Sequence, residues 1–175
     1  MILGLTGTLG AGKSTLALFL QEKGFSHLVM SDVLREELKK QNKEENRDNL
    51  LAVGNELRKK YGEGVLVERL ITKAKNEKKR NMIIDGIRSL GEVEALKNHK
   101  GKLIAIDSSL EVRYKRIKKR GSSKDNISFE TFKAQEAKED LRACMKEADY
   151  LIFCDGGHDE LRKETTKMVE ALKNG

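Results

Sequence analysis

Short apolar runs in this chain alternate with longer stretches in which apolar residues return every third or fourth position. That is the pattern of strands and amphipathic helices taken in turn. Five runs read as strands: Ile2 to Thr6, His27 to Met30, Met82 to Asp85, Leu103 to Asp107 and Tyr150 to Cys154. A strand–helix alternation of this kind builds a parallel sheet covered by helices on both faces. Leu16, Phe19 and Leu20 mark the apolar face of the first helix, and Leu50, Val53, Leu57 and Tyr61 that of a later one. Leu161, Thr165, Met168 and Leu172 form the packing stripe of a terminal helix. Ser89 with Glu92, and Ser108 with Glu111, have the spacing of capping boxes at helix starts. The polar segment Lys39 to Asn49 reads as a hinge or a solvated turn, and no internal repeat or low-complexity linker is visible.

Composition narrows the class. With 175 residues, 38% of them hydrophobic, the chain buries one core and is expected to form a single domain. Its apolar runs fall short of a membrane span, and residues 1 to 6 are too short for a signal sequence, so a cytoplasmic protein is expected. Cys144 and Cys154 have neither metal-ligand spacing nor a disulfide framework and read as packing residues in a reducing compartment. A net charge of +7 favours anionic partners, nucleotides and nucleic acid alike. Only 5% of residues are aromatic and no RNA-stacking motif appears, which weighs against nucleic acid as the main partner.

The most specific chemistry lies in "MILGLTGTLGAGKSTLALFL", residues 1 to 20. Gly7, Gly12, Lys13 and Ser14 fit the phosphate-loop pattern G-x-x-x-x-G-K-[ST], with a strand before it and a helix after it. Backbone amides surround a phosphate only where side chains stay clear, which accounts for glycines at 7, 10 and 12. Lys13 is then placed for the β- and γ-phosphates of ATP and Ser14 for Mg²⁺, while Ala11, Thr15 and the helix N-terminus complete the cradle.

Further candidates sit where strands end. "NMIIDGIRS" delivers Asp85 to the carboxyl edge of the sheet, where a carboxylate orients Mg²⁺ through its water shell, and Arg88 follows three residues on. "MSDVLREE" places Asp32 and Arg35 at the next strand end, with Ser31 or Asp32 also able to cap the helix. Arg58 in "GNELRKKYG" is a similar candidate. In "RYKRIKKR", Arg113, Arg116 and Arg120 fall on one side of a helix with Ile117 among them, and the loop "GSSKDN" that follows is small and polar enough to close over phosphates. Arginines brought in on such a lid neutralise charge during phosphoryl transfer and exclude water.

Taken together, "GTLGAGKST", "SDVLREE", "GNELRKKYG", "IIDGIRSLGEVEAL", "RYKRIKKRG" and "ADYLIFCDGGHDEL" resemble the small phosphate-loop kinases of the nucleoside monophosphate kinase and dephospho-coenzyme A kinase type. The resemblance covers nearly the whole chain. It implies a three-layer α/β fold with a five-stranded parallel sheet in the order 2-3-1-4-5, an acceptor-binding helical region at about residues 32–75 and a lid at about 113–130. It also implies acceptor roles for Arg35 and Arg88, a magnesium role for Asp85, and adenine held largely by backbone groups at Asp155, Gly156 and Gly157. Two departures stand out: Ser122 where relatives carry a second lid arginine, and Leu9 where many have proline. Lid stabilisation then rests on Arg116 and Arg120, with Lys119 or Lys124 assisting.

The expected activity is transfer of the γ-phosphate of ATP to a nucleotide-type acceptor, a nucleoside or deoxynucleoside monophosphate. A phosphate acceptor needs arginines against charge repulsion and no base, whereas a ribose hydroxyl, as in dephospho-coenzyme A, needs a base such as Asp32. Both sets of residues are present, and three arginines, Arg35, Arg58 and Arg88, tilt the reading towards the phosphate. The competing classes are a phosphate-loop NTPase switch and a basic RNA-associated assembly factor, neither of which requires an arginine-bearing acceptor pocket.

Overall fold

The computed structural model describes residues 1–121, 127–138 and 141–174. Its elements run β1 (Ile2–Gly7), α1 (Lys13–Glu22), β2 (Ser26–Val29), α2 (Met30–Lys40), α3 (Arg47–Tyr61), α4 (Val65–Asn76), β3 (Met82–Asp85), α5 (Leu90–Asn98), β4 (Lys102–Asp107), α6 (Leu110–Arg120), α7 (Phe129–Lys138), α8 (Leu141–Lys146), β5 (Tyr150–Phe153) and α9 (His158–Asn174). The strands pair in parallel in the order β2-β3-β1-β4-β5.

Strand residues divide alternately between two cores, as side chains on a pleated strand must. Leu3, Leu5, Ile83, Ile104, Ile106 and Ile152 pack with Leu16 and Leu20 of α1 and Leu161 and Met168 of α9. Met82, Ile84 and Leu103 face the other way, onto Leu66 and Ile71 of α4, Val93 and Leu96 of α5 and Cys144 of α8. This explains why the strands read as nearly continuous apolar runs. The register aligns Leu5 with both Asp85 and Ile104, so the ends of β1, β3 and β4 open on one edge of the sheet.

Several boundaries differ from the sequence reading. β2 stops at Val29 and Met30 already belongs to α2, which has no side-chain cap. Ser31 and Asp32 are therefore first-turn residues rather than caps. Ser89 and Glu92 make both bonds of a capping box. Ser108 does not: Ser109 is the N-cap of α6, and the buried Ser108 hydroxyl donates to the Cys154 carbonyl at 2.6 Å. Tyr61, counted among the packing residues of α3, is 54% exposed. Between Lys40 and Arg47 the polar segment is a short connection that ends in a real cap, Asn46, which accepts from the Asn49 amide at 2.9 Å. Cys144 and Cys154 are both buried, in opposite cores. No helix of the described residues is long and apolar enough to cross a membrane.

Candidate active site

β1 runs directly into the glycine loop. Gly10 has φ +81°, and a Cβ there would lie 2.7 Å from the Arg113 carbonyl oxygen, so the loop lies against α6 as only glycine permits. Gly12, at φ 111°, is the N-cap of α1 and offers no side chain to the first-turn amides. They are thus left for an anion, with the helix dipole behind them. The Lys13 ammonium curls back over the loop and donates to the carbonyls of Gly7 and Thr8, the latter at 2.9 Å.

A cavity of about 670 Å³ opens in front of the loop. Gly10, Gly12, Lys13, Ser14 and Thr15 form one side; Arg88, Arg116, Lys119 and Arg120 arrive from β3 and α6, and Gly156, Gly157 and His158 from the turn after β5. Among the described residues that line it there is no carboxylate. The potential inside is positive, and it suits a polyphosphate.

Arg116 fastens the walls together. Its guanidinium donates to the Ala11 carbonyl at 3.2 Å, the Ser108 hydroxyl at 2.8 Å, and the carbonyls of Cys154 and Gly156 at 3.1 and 2.6 Å. Phosphate loop, β4 end and β5 turn thereby meet on one side chain. Arg113, grouped in the sequence with Arg116 and Arg120 as lid arginines, is buried instead: it donates to the Ser108 carbonyl at 2.9 Å, lies 3.5 Å from the Asp107 carboxylate, and sits over the Phe132 ring. Ile117 on the same side is buried too, so this face of α6 points inward and the solvated cations lie on the others. Asp155 accepts from the Ser109 amide at 2.7 Å, which employs its carboxylate at the start of α6. Ser122 and Lys124, read as lid residues, lie outside the described residues.

Asp85 ends β3 with its carboxylate half-buried, Oδ2 lying 3.1 Å from His27 Nε2. His27 Nδ1 in turn lies 3.4 Å from the Gln21 amide nitrogen of α1. Ser14 is exposed at the start of α1. A hydroxyl and one carboxylate, with phosphate oxygens and water completing an octahedron, are the donor set Mg²⁺ takes at nucleotide sites. Ser14 and Asp85 fit that set in kind, Ser14 lining the loop cavity and Asp85 lying outside its lining with its carboxylate against His27.

The acceptor-side candidates are organised differently. Arg35 donates to Glu45 and Asp32, each at 2.7 Å, and to the Ser31 hydroxyl at 3.0 Å. These hydrogen bonds, Glu45 first and Asp32 second, raise its pKa above the usual arginine value. Arg58 Nη2 donates to Glu92 at 3.1 Å, and Glu92 also accepts from the amides of Arg88 and Ser89 at 2.8 and 3.2 Å. Of these candidates Arg88 lines the loop cavity, whereas Asp32, Arg35 and Arg58 are not among its lining residues.

Three participants were missed in the sequence. Asp107 accepts from the Thr8 hydroxyl at 2.6 Å and the Ser108 amide at 2.9 Å, tying the loop to β4. It ends an apolar strand just as Asp85 does, so the rule that found Asp85 could have found it. His27 and Ser108 carried no such signal, because their partners are remote in the chain.

A family model described as an AAA domain matches residues 3–142. A UPF0200 protein of Saccharolobus islandicus is 32% identical over 179 residues, which cover 98% of this chain and 94% of that protein. A UPF0200/UPF0201 protein of Archaeoglobus fulgidus is 35% identical over 170 residues covering 93% of this chain, and the chain spans about half, 53%, of its length. Among solved structures, TT1252 from Thermus thermophilus superposes with a TM-score of 0.67 at 24% identity, covering 100% of this chain and 98% of that one. Dephospho-CoA kinase from Campylobacter jejuni superposes with a TM-score of 0.58 at 20% identity, covering 99% and 98%. At these identities the superpositions establish the fold, that of the phosphate-loop kinases.

Proposed function

Because the chain belongs to the AAA-domain family and to the UPF0200 proteins and has the phosphate-loop kinase fold, we propose that it is an ATP-dependent kinase acting on a nucleotide-type small molecule. The acceptor is a nucleoside or deoxynucleoside monophosphate. One observation carries the reading: the glycine loop, Lys13 and four further cations face a single cavity whose described lining residues include no carboxylate.

In this reading the loop amides and the N-terminus of α1 take the β- and γ-phosphates, and Lys13 exchanges its two loop carbonyls for phosphate oxygens. Ser14 and Asp85 would hold Mg²⁺, which supplies charge neutralisation across the phosphates. Arg88, Arg116 and Arg120 offset the charge that spreads over the transferring group, with Lys119 beside them. Gly156 and Gly157 offer backbone groups to the base. Arg35 and Arg88 receive the acceptor phosphate, which is already ionised and needs no base. A ribose hydroxyl would need one, and Asp32, the candidate, is engaged by Arg35 at 2.7 Å. The phosphate acceptor is preferred over the dephospho-coenzyme A alternative because Arg88 lines the loop cavity and Asp32 does not.

The test is ATP consumption measured against each nucleoside and deoxynucleoside monophosphate and dephospho-coenzyme A, with Lys13→Ala as control. Acceptor-dependent ADP formation, cut at least about 100-fold in Lys13→Ala, is expected. ADP formation that no acceptor stimulates would make the protein a hydrolytic switch.

A further inference from the structure

A second cavity, of about 650 Å³, lies behind the phosphate loop, between α6, α7, α8 and the edge strand β5. It is in the size range of small-molecule sites. Its floor is apolar: Leu110, Met145 and Leu151 line it. Leu151 is 57% exposed, and Phe153, two positions along β5, is 58% exposed. Alternation sends Ile152 and Cys154 into the core with α1 and α9 and leaves Leu151 and Phe153 exposed on the opposite face. Around the rim stand Lys133 of α7 and Arg142 and Lys146 of α8. Arg142 and Lys146 are four residues apart, so they lean over the same edge. Among the described residues neither they nor Lys133 is engaged by a carboxylate, whereas Arg35, Arg58, Arg69 and Lys73 of α2 to α4 are each paired with one.

We infer that this groove binds a small organic anion: an apolar body, aromatic or branched aliphatic, carrying one carboxylate, sulfonate or phosphate group. The orientation follows from the charges. At the inner end Asp107 and Arg113 lie 3.5 Å apart and Asp107 also accepts from the Thr8 hydroxyl, so the charges there already offset one another and add no net attraction for an anionic head. The head therefore sits at the rim, among Lys133, Arg142 and Lys146, and the apolar body lies on Leu110, Met145 and Leu151. The site is separate from the nucleotide cavity and does not depend on the proposed kinase activity.

The probe is 8-anilinonaphthalene-1-sulfonate, an apolar ring system with one anionic group, titrated by fluorescence and by calorimetry for stoichiometry. One saturable site per chain is expected. It should persist at saturating MgATP, lose at least tenfold in affinity in the Arg142→Glu/Lys146→Glu variant, and lose a comparable amount in Leu151→Asn. The first variant alters two exposed side chains, so its unfolding midpoint should match the wild type, which separates loss of the site from loss of the fold. Inorganic phosphate at millimolar concentration should compete weakly. The inference is overturned if the wild type shows no saturable site, if MgATP displaces the probe stoichiometrically, if both variants bind within twofold of wild type, or if phosphate alone competes as well as the sulfonate.

Discussion

Arg58→Leu separates two roles that the sequence alone leaves together, an acceptor ligand and a structural ion-pair partner. In the fold its guanidinium meets Glu92, which is 1% exposed, while Arg58 itself is 29% exposed. Removing one member of a buried pair costs about 3–5 kcal/mol, because a charge is left in low dielectric without its partner. Here Glu92 keeps two amide donors, from Arg88 and Ser89, and water reaches the arginine from one side. The expected loss is accordingly smaller, about 2 kcal/mol. With a urea dependence of about 2 kcal/mol per molar, the unfolding midpoint falls by about 1 M. Equilibrium urea unfolding followed by circular dichroism measures this. The same experiment on Glu92→Gln and on the double variant closes a cycle whose coupling should exceed about 1 kcal/mol. An Arg58→Leu protein within about 0.3 kcal/mol of wild type would show that the pair contributes nothing to the fold and would return Arg58 to the acceptor pocket.

Gly10→Ala puts a methyl group against the Arg113 carbonyl at positive φ, and thermal unfolding and fluorescent-ATP titration should show a loss of about 2 kcal/mol in stability and weakened nucleotide binding. The Cys154 thiol is pushed up by burial and, secondarily, by Glu160, so at pH 8 it should react with a thiol reagent at full rate only once urea unfolds the chain. Arg162 holds the Glu22 carboxyl below the usual glutamate range through their hydrogen bond. The contribution of this pair is present above the unfolded glutamate value and disappears as pH falls through the lowered folded value, so carbon NMR should show a Glu22 midpoint below that of exposed glutamates, returning upward in Arg162→Ala.

The sheet is legible because its inner strands β1, β3 and β4 are buried on both faces and the edge strands are still short apolar runs bounded by turns, and the glycine loop because its spacing has a mechanism. Where the reading failed, the deciding partner was distant in the chain. Ser108 has the spacing of a capping box with Glu111, yet its hydroxyl is taken by the Cys154 carbonyl 46 residues away. Arg113, Arg116 and Arg120 share one side of a helix in the sequence as a patch directed at phosphates, but the Leu9 carbonyl and the Phe132 ring give Arg113 a buried seat that no local pattern announces. Tyr61 keeps the helical period but falls on the last turn of α3, beyond the packed part of the helix. Local rules place elements, and long-range pairings decide which polar group is used for what.

Those pairings also rank the acceptor candidates under the proposed kinase reading. Arg35 and Arg58 are both countered by carboxylates, but at different depths. The Arg35 pairs with Asp32 and Glu45 are exposed on both sides, and such pairs contribute about 0–1 kcal/mol, so an incoming phosphate dianion can replace a carboxylate there at little cost. The Arg58 pair has a fully buried partner, and pulling the guanidinium away would strand Glu92. Arg58 is therefore the one that stays. Its effect on the acceptor runs through Glu92, whose carboxylate takes one bond from Arg58 and another from the Arg88 amide, so that α3 fixes the turn from which Arg88 enters the loop cavity. Direct contact with the acceptor then falls to Arg35, the arginine that can change partners, and to Arg88, the one already facing the phosphates.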